Sequence, residues 1–420
     1  MIYAIQPPAS IHAKINLPAS KSISNRILIL NALSKNNHPV ENLSDSDDTQ
    51  VLKEALLLLQ KGNTTFDVGA AGTSMRFLTA FLSQKEGVWT ITGTERMKNR
   101  PIKILADSLR EIGGKIEYLE KEGFPPLQIH GRKLSGGTIR LNGGVSSQYL
   151  SALMMIAPLT KQGLDICLEG NIISRPYIDM TIRLMQTFGV ETAWSGQHIQ
   201  IKPQTYQSAP FTVENDWSAA SYWYEIMALA GNSATVELTG LEENSIQGDA
   251  KVAKLFEAIV SSNCHSALDA GSPEKRPLII RRLRVKPAMT MNYDFTNEPD
   301  LAQTLVVTCC LLNIPFHFTG LQSLRIKETD RITALQTEFK KLGYVVKTDE
   351  ATMEWTGECC DVEPNPVIST YEDHRMAMAF APACLKTGKI RIKNPGVVSK
   401  SYPGFWKDLE SAGFVVERQE

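Results

Sequence analysis

The sequence predicts an α/β protein of two domains that are built from repeated units. The chain has 420 residues, which is more than one ordinary hydrophobic core organises. Apolar helical stripes recur along it, and most are followed by a glycine and a short β-rich run. A strand and a polar loop precede each stripe. Strands and helices that alternate at a regular period are typical of an internally repeated α/β fold.

Five glycines mark the expected ends of the repeated helices, because glycine adopts the positive φ that releases the chain into a strand. They are Gly62, Gly113, Gly189, Gly343 and Gly413. The gap between the third and the fourth is about twice as long as the others, which predicts a further unit near position 260 in KVAKLFEAIVSSN. A single large α/β domain with coincidental glycine caps is the alternative.

Six strand–loop–helix segments support the repeat, at 39–56, 88–105, 164–185, 234–256, 316–335 and 390–409. The start of a helix presents free N–H groups and the positive end of the helix dipole, and it therefore suits anions. Four of these loops add a basic residue: Arg100, Arg175, Arg331 and Lys400. If the helix starts converge, these charges converge with them.

The composition narrows the class of protein. Hydrophobic residues make up 43% of the chain, charged residues 21%, and the formal net charge is -1. These values are typical of a globular protein without an overall field for nucleic acid or membrane, so neither partner is expected. The seven cysteines form no CxxC pair and no zinc-ligand spacing. Scattered thiols, and an N-terminus without an apolar stretch of signal length, favour a cytoplasmic protein.

A loop before a helix at 18–30, PASKSISNRILIL, carries Lys21, Ser22 and Arg26. Ser22 is predicted to cap the helix, and Arg26 lies one turn further on. The set matches the binding of phosphate or carboxylate groups. A capped helix with two solvated cations is the alternative.

The turn in DVGAAGTSMRFLTAFL combines small residues with an arginine. Gly72 lets a ligand approach the backbone, Thr73 or Ser74 could cap the helix, and Arg76 follows in its first turn. The turn lacks both the dinucleotide fingerprint and the P-loop pattern. A tight turn without a ligand is the alternative.

A third loop, in GGVSSQYLSALMM, offers Ser146, Ser147 and Gln148 ahead of an apolar helix. Uncharged hydrogen-bonding groups suit hydroxyls and phosphate oxygens. A helix cap with spare polar residues explains the pattern equally well.

Asp300 and His374 stand at the starts of two further apolar helices. Asp300 could cap its helix or act as a base, and His374 could carry a proton or be a structural, hydrogen-bonded histidine. Arg375 follows His374 directly.

The stretch RIKETDRI at 325–332 concentrates charge. Helical spacing predicts Lys327 and Arg331 on one face, with Glu328 beside them. A salt-bridged helix start is the alternative. Taken together, the loops predict a cleft for a multiply anionic substrate, closed from two sides. No metal-ligand cluster or cofactor fingerprint is present in the sequence, so neither a metal nor a cofactor is expected.

The segment 261–290 departs from the repeat. It holds six basic residues against two acidic ones and is punctuated by prolines. A basic run could indicate a nucleic-acid patch. A surface insertion or replacement within the fourth unit is favoured, because loops tolerate insertions at little cost.

Eight motifs occur in order over nearly the whole chain: PASKSISNR, GAAGTSMRFL, NRPI, SSQY, SRPYIDMT, KETDR, DHRMAMAF and VSKSYPGF. Together they resemble the 5-enolpyruvylshikimate-3-phosphate synthase (3-phosphoshikimate 1-carboxyvinyltransferase) family. The resemblance implies the two-domain enolpyruvyl transferase fold, an inside-out α/β barrel with three repeated βαβαββ units in each domain. It places residues 1–18 plus 215–420 in domain I and residues 19–214 in domain II, so that the N-terminal strand joins the C-terminal half.

The resemblance also implies a reaction. The enolpyruvyl group of phosphoenolpyruvate is transferred to the 5-hydroxyl of shikimate 3-phosphate, and phosphate is released. This is a step of the shikimate pathway of aromatic amino acid biosynthesis. The family resemblance implies small-molecule substrates, no cofactor and a monomeric protein.

Roles follow for the positions that match the family motifs. Asp300, Glu328 and Lys21 would be catalytic, with His374 in support. The residues expected to bind shikimate 3-phosphate are Lys21, Ser22, Arg26, Ser146, Ser147, Gln148, Ser174, Tyr177, Asp300 and Lys327. Those expected to bind phosphoenolpyruvate are Lys21, Gly72, Arg100, Gln148, Arg331, Arg375 and Lys400.

Three positions depart from the family pattern. Ala70 stands where the family often has Asn, Phe77 where it often has Pro, and Ser323 where an Asn commonly meets the shikimate carboxylate. We expect these changes to affect substrate affinity and the response to phosphonate inhibitors such as glyphosate. Because Gly72 adds no methyl group to the turn, sensitivity to the inhibitor is expected.

Two alternative functions remain at this point. The sister UDP-N-acetylglucosamine enolpyruvyl transferases resemble a different motif set with a loop cysteine, and no cysteine of this chain stands in such a loop. A non-catalytic anion-binding homologue is the other alternative, and the presence of Asp300, Glu328 and Lys21 argues against it.

Overall fold

A computed structural model describes residues 1–34, 38–262, 278–281, 283–285 and 290–419. The basic segment predicted at 261–290 lies for the most part outside the described residues. The described residues form two compact units. The first comprises Met1–Ala19 with Glu214–Glu420, and the second comprises Ser20–Val213.

The strands are numbered in chain order. They are β1 (Ile2–Gln6), β2 (Ile11–Asn16), β3 (Val40–Glu41), β4 (Thr65–Asp67), β5 (Gly87–Thr92), β6 (Lys115–Tyr118), β7 (Leu127–Gly131), β8 (Gly137–Asn142), β9 (Leu164–Glu169), β10 (Ala193–Ser195), β11 (His198–Ile201), β12 (Phe211–Thr212), β13 (Ala234–Thr239), β14 (Val260–Ser262), β15 (Leu278–Arg281), β16 (Leu283–Val285), β17 (Met291–Asp294), β18 (Phe316–Thr319), β19 (Lys347–Thr348), β20 (Met353–Trp355), β21 (Val367–Ser369), β22 (Ile390–Lys393) and β23 (Val415–Gln419).

The α-helices are α1 (Lys21–Ser34), α2 (Asp47–Gln60), α3 (Gly72–Gln84), α4 (Lys103–Glu111), α5 (Ser147–Ile156), α6 (Arg175–Thr187), α7 (Trp217–Ala230), α8 (Val252–Ile259), α9 (Ala302–Leu311), α10 (Arg331–Lys341), α11 (His374–Phe380), α12 (Cys384–Thr387) and α13 (Phe405–Ser411). Short 3₁₀ turns precede several of them. Among the described residues, no helix combines the length and the apolar character that crossing a membrane requires.

The repeated unit is β–α–β–α–β–β. In the second unit, β4, α3, β5, α4, β6 and β7 form one copy, whose sheet has the order β4-β5-β7-β6. The first two strands are parallel because a helix connects them, and the last two pair antiparallel. The sheets β8-β9-β11-β10 and β17-β18-β20-β19 repeat this order. The predicted repeated α/β fold is confirmed.

The N-terminal strand completes a sheet of the C-terminal half, as expected. The sheet order is β21-β22-β1-β23, so β1 occupies the position that the last strand of the unit holds elsewhere. It pairs antiparallel with both neighbours, with Ile2 opposite Lys393 and Gln419. The next strand, β2, runs parallel to β13. The first nineteen residues are thereby tied into the first unit.

Each unit holds three inner helices, which are α1, α3 and α5 in one unit and α7, α9 and α11 in the other. Nearly all residues of α3, α5, α7, α9 and α11 are buried, which is typical of a helix surrounded by protein. Helix α1 buries about half of its residues. The second helix of each repeat is amphipathic instead, and α4 buries only Leu105, Ala106, Ser108 and Leu109.

The predicted helix-ending glycines are confirmed. All five follow the C-cap residue of α2, α4, α6, α10 or α13, and their φ angles run from 77° to 98°. The sixth helix was predicted near 260, and α8 ends at Ile259, directly before β14. The chain there passes from helix to strand without the glycine.

Candidate active site

Polar and charged side chains gather at the N-terminal ends of the inner helices in each unit. In the first unit they form the Asp300 cluster, defined as Asp300, Lys327, Glu328, Arg331, Asp373, Arg375 and Lys400. In the second unit they form the Arg26 cluster, defined as Lys21, Arg26, Asp48, Ser151 and Thr181. The predicted convergence of charged helix starts is observed in the first unit, where Arg331 and Lys400 meet at Glu328. In the second unit it is wrong for Arg175, which lies outside the Arg26 cluster.

Arg331 is the centre of the Asp300 cluster. Its guanidinium donates to three carboxylates: Nε to Asp373 at 2.7 Å, Nη1 to Asp300 at 3.0 Å and Nη2 to Glu328 at 2.9 Å. The side chain is 2% exposed. Burial alone would lower the pKa of Arg331, but the three carboxylates outweigh it and raise the pKa. Arg331 therefore stays charged and fixes the carboxylates around it.

Asp300 lies among cations rather than capping a helix. Helix α9 begins two residues later, and the alternative of a cap is wrong because the carboxylate points to basic side chains. Its oxygens lie 2.9 Å from Arg375 Nη2 and 3.9 Å from Lys327 Nζ. Burial would raise the pKa of Asp300, but Arg375, Lys327 and Arg331 outweigh it and hold the pKa well below its ordinary value. Asp300 is therefore ionised in this arrangement.

The predicted helical spacing of Lys327 and Arg331 is wrong. Asp330 has extended backbone and caps α10, which begins only at Arg331, so Lys327 lies in the preceding turn. The two side chains nevertheless meet at Asp300. Asp330 accepts from Thr333 N at 3.1 Å and pairs with Arg325 at 2.8 Å, which is a structural role.

Glu328 bridges two cations. Its carboxylate accepts from Arg331 at 2.9 Å and lies 3.2 Å from Lys400 Nζ. Both Glu328 and Lys400 side chains are 12% exposed. Two loops that are far apart in the sequence thus meet at one carboxylate.

Three further residues contribute to the site without having been predicted from the sequence: Asp373, Tyr222 and Asp249. Asp373 caps α11 by accepting from Arg375 N at 2.8 Å, and it lies 3.8 Å from His374 Nδ1. Tyr222 Oη lies 3.3 Å from Arg375 Nη1. Asp249 accepts from the Ser218 hydroxyl at the start of α7. An acidic residue directly before a helix-starting His-Arg pair was the one available signal, and it concerned only Asp373.

Burial raises the pKa of Asp249 to about 7, and the nearby charge of Asp300 adds to the shift. Burial also lowers the pKa of the Lys327 ammonium, which Asp300 partly offsets. Two neighbouring carboxylates are thus driven in opposite directions: Asp300 is held ionised, while Asp249 binds a proton more readily. Such divergence is a feature of catalytic sites.

In the second unit, Arg26 is buried and fully engaged. It donates to Thr181 Oγ1 at 2.8 Å, Ser151 Oγ at 2.9 Å and the Ser22 carbonyl at 2.8 Å. Its guanidinium also lies 5.5 Å from the centre of the Phe77 ring. Burial lowers the pKa of Arg26 to about 10. The alternative of a solvated cation is therefore wrong for this residue.

Lys21 lies 3.4 Å from Asp48, and its side chain is 16% exposed. It is the first residue of α1, so Ser22 lies within the first turn and does not cap the helix. Ser20 takes that place: its carbonyl accepts from Ser24 N at 2.9 Å. The predicted cap at Ser22 therefore lies two residues beyond the observed one at Ser20, a difference that is common for helix ends.

Gly72 is the first residue of α3 and leaves room for two guanidinium groups. A Cβ atom placed there would collide with Arg100 and would lie 2.6 Å from Arg76 Nη1. Arg76 donates to the Gly72 carbonyl at 2.9 Å. Neither Thr73 nor Ser74 caps the helix: Thr73 accepts from Gln148, and Ser74 donates to the Asp48 carbonyl. The glycine is required by the packing of the arginines rather than by its φ.

The polar residues of α5 and α6 have different environments. Ser146 caps α5, and Gln148 donates to Thr73 Oγ1 at 3.1 Å, which joins the starts of α3 and α5. Ser174 is buried with a left-handed φ of 53° directly before α6. Arg175 does not join the Arg26 cluster: it stacks on Trp194 at 4.3 Å and is 55% exposed.

The repeated α/β units, with cations and carboxylates gathered at buried helix starts, define an enzyme that handles anionic substrates. The sequence profile of one family, EPSP synthase (3-phosphoshikimate 1-carboxyvinyltransferase), matches residues 5–61 and 57–409. The chain belongs to the EPSP synthase family, whose activity is 3-phosphoshikimate 1-carboxyvinyl transfer in the shikimate pathway.

Relatives of the same description match nearly full length. A 3-phosphoshikimate 1-carboxyvinyltransferase from Bacteroides fragilis is 54% identical over 419 residues, which cover 99% of each chain. One from Photobacterium damsela subsp. piscicida is 37% identical, covering 97% of this chain and 98% of that protein. A solved EPSP synthase structure from Acinetobacter baumannii has a TM-score of 0.74 at 21% identity, covering 99% of this chain and 100% of the other. This last match concerns the fold.

Proposed function

We propose that the protein transfers the enolpyruvyl group of phosphoenolpyruvate to the 5-hydroxyl of shikimate 3-phosphate and releases phosphate. The observation that carries the proposal is the Asp300 cluster, where an ionised carboxylate and Glu328 are held by buried cations. Acid–base groups next to anion-binding groups are what addition to an enol phosphate requires.

The proton transfers are assigned to two carboxylates. Asp300 takes the proton from the 5-hydroxyl as its oxygen bonds to C2 of phosphoenolpyruvate. Glu328, which enters this step as the neutral carboxylic acid, protonates the methylene carbon and becomes a carboxylate, giving a tetrahedral adduct with a methyl group. Removal of a proton from that methyl group by Glu328 then restores the double bond as phosphate leaves. His374, Lys21 and the cations stabilise the charges that move.

Phosphoenolpyruvate itself would make Asp300 a stronger base. Arg375 and Arg331 now neutralise the Asp300 carboxylate, at 2.9 and 3.0 Å. A bound phosphate or carboxylate group competes for these guanidinium groups. As their charge is shared with the substrate, the pKa of Asp300 rises towards its ordinary value. The base is then activated only when the substrate is present.

The binding roles are divided between two sets of residues. Arg331, Arg375 and Lys400, with Lys21, Arg100, Gln148 and the space at Gly72, serve phosphoenolpyruvate. Lys21, Ser22, Arg26, Ser146, Ser147, Gln148, Ser174, Tyr177, Asp300 and Lys327 serve shikimate 3-phosphate. For Arg26 the contribution is indirect, because the donor contacts described above go to protein groups. It positions Ser22, Ser151 and Thr181.

A phosphate-release assay tests the function. We expect release when both phosphoenolpyruvate and shikimate 3-phosphate are present, and none when UDP-N-acetylglucosamine replaces the latter. Absence of release with shikimate 3-phosphate would reject the proposal. We also propose that the protein is cytoplasmic and monomeric. Sedimentation velocity tests the oligomeric state: a species with twice the mass of one chain would contradict the monomer.

A further inference from the structure

One face of the sheet β10-β11-β9-β8 brings a cysteine, a histidine and an aspartate together. Asp165 and Cys167 lie two residues apart on β9 and so share a face. His198 on β11 is directly opposite Cys167. The intervening Ile166 and Ile199 are buried in the core. The three polar side chains belong to no part of the candidate active site.

The three side chains converge on one point. Cys167 Sγ lies 3.4 Å from His198 Nδ1, and Asp165 Oδ1 lies 4.0 Å from the same nitrogen. One ligand atom from each residue lies within 4.8 Å of the others. In a Cys–His–Asp relay the thiol and the carboxylate would contact different ring nitrogens. Convergence on a single nitrogen instead leaves a common centre for a cation.

We propose that Asp165, Cys167 and His198 bind a Zn²⁺ ion or a similar divalent transition metal. Tetrahedral geometry with ordinary zinc bond lengths requires about 3.6 Å between sulfur and nitrogen and about 3.4 Å between nitrogen and oxygen. The observed sulfur–nitrogen distance of 3.4 Å fits this geometry, and the nitrogen–oxygen distance of 4.0 Å requires Asp165 to move closer to His198. The sulfur and the carboxylate oxygen lie within 4.8 Å of each other. The Asp165 side chain is 41% exposed and that of His198 64%, so water can provide the fourth ligand.

The ligand types and their surroundings suit such an ion. Thiolate and imidazole favour Zn²⁺, Co²⁺ and Cu²⁺ over Mg²⁺ or Ca²⁺. Cys167 loses its proton to solvent on binding, so thiolate and carboxylate together balance the charge of the metal. Arg140, opposite Cys167 on β8, is a nearby cation, and its charge is offset by Glu169 at 3.8 Å. No zinc-ligand spacing is visible in the sequence because the ligands come from two strands.

Cobalt substitution tests the site in the full chain. Co²⁺ added to the reduced protein is expected to produce a thiolate-to-cobalt charge-transfer band with a stoichiometry of one. Cys167→Ser should abolish that band. His198→Gln and Asp165→Asn should weaken Zn²⁺ binding at least about tenfold in competition with a chelating dye, because even outer-shell changes cost that much.

Matched controls separate this site from other thiols and histidines. Cys359→Ser with Cys360→Ser, and His317→Gln on β18, should leave the band and the Zn²⁺ affinity unchanged. Circular dichroism verifies that each variant is folded, which matters most for Cys167→Ser because Cys167 is buried. Absence of a thiolate band, its persistence in the Cys167→Ser variant, or an unchanged Zn²⁺ affinity of the His198→Gln variant would overturn the proposal. The measurement does not depend on enzyme activity.

Discussion

Arg375 Nη2 lies 2.9 Å from Oδ2 of Asp300, while Arg331 Nη1 lies 3.0 Å from the other oxygen of the same carboxylate. The two arginines stand at the starts of different helices, Arg375 in α11 and Arg331 in α10. Asp300 is therefore held ionised by groups that also suit a phosphate or carboxylate ligand. Under the proposed mechanism, substrate binding and the base strength of Asp300 are therefore coupled through this one carboxylate.

Glu328→Gln should reduce turnover while substrate binding is largely kept. The amide oxygen still accepts from Arg331, but the side chain no longer transfers a proton. The loss of an acid–base group lowers kcat by about 10²–10⁴-fold. Steady-state kinetics should show KM values close to those of the unchanged enzyme.

Glu350→Gln is the matched control for this change. Glu350 is 96% exposed and lies 3.7 Å from Arg325, in a charged loop near the same helix. Its replacement should leave kcat unchanged. If Glu328→Gln also retained normal turnover, the proton-transfer role would be wrong.

Gly72→Ala should impair the use of phosphoenolpyruvate in particular. The new methyl group would displace the guanidinium of Arg100 and press on Arg76. The loss of one charge-assisted hydrogen bond to the substrate corresponds to roughly 10–100-fold in affinity. We expect the KM for phosphoenolpyruvate to rise by that factor, and the KM for shikimate 3-phosphate to change much less.

Gly396→Ala provides the comparison, because a Cβ atom there meets open space and the φ requires no glycine. Its kinetics should match those of the unchanged enzyme. Equal effects of Gly72→Ala on both substrates would contradict a specific role of Arg100.

The repeat was accessible from the sequence because it depends on local signals. Apolar stripes and helix-ending glycines predicted the order of elements, and Gly62 and Gly413 adopt the expected positive φ. Contacts between residues far apart in the sequence left no such signal: Asp249 and Tyr222 reach the Asp300 cluster only through tertiary packing. The order of helices and strands can be predicted from the periodicity of the sequence. The contact partners of each site residue depend instead on which loops the tertiary fold brings together.

The environment of Arg26 illustrates the same limit. Its position one turn into α1 indicated a cation near a ligand, and helical spacing alone cannot separate a solvated arginine from a buried one. The deciding partners, Ser151 and Thr181, are more than a hundred residues away in the sequence. The roles of the individual site residues stay predictions.

Arg331→Met should strongly destabilise the fold. The change leaves Asp373, which is fully buried, without its 2.7 Å partner and also removes a partner from Asp300 and Glu328. Breaking a buried ion pair by removing one side costs about 3–5 kcal/mol. The free energy of unfolding in urea should fall by that amount.

Arg325→Met is the control, since Arg325 is 25% exposed and pairs with the 36% exposed Asp330. A partly exposed pair contributes about 0–1 kcal/mol. Similar losses for the two variants would show that the burial of the Arg331 network does not matter.

The pH dependence of stability should report the buried Asp249. Burial, with a further contribution from Asp300, raises the pKa of Asp249 from 3.8 to about 7. Between these two pH values the folded protein holds a proton that the unfolded chain has lost. The contribution of Asp249 to stability therefore falls as pH rises through this window, by up to about 1.4 kcal/mol per pH unit. Below and above the window it is constant.

Asp249→Asn removes this titration and keeps a side chain of nearly the same size. Urea unfolding between pH 4 and pH 8 should show the variant gaining stability relative to the unchanged protein up to about pH 7, with a constant difference beyond. Asp361→Asn, which changes an exposed carboxylate, should follow the unchanged protein throughout. Parallel curves for Asp249→Asn and the unchanged protein between pH 4 and pH 7 would mean that Asp249 is ionised in the fold, and that the pKa values of Asp249 and Asp300 do not diverge.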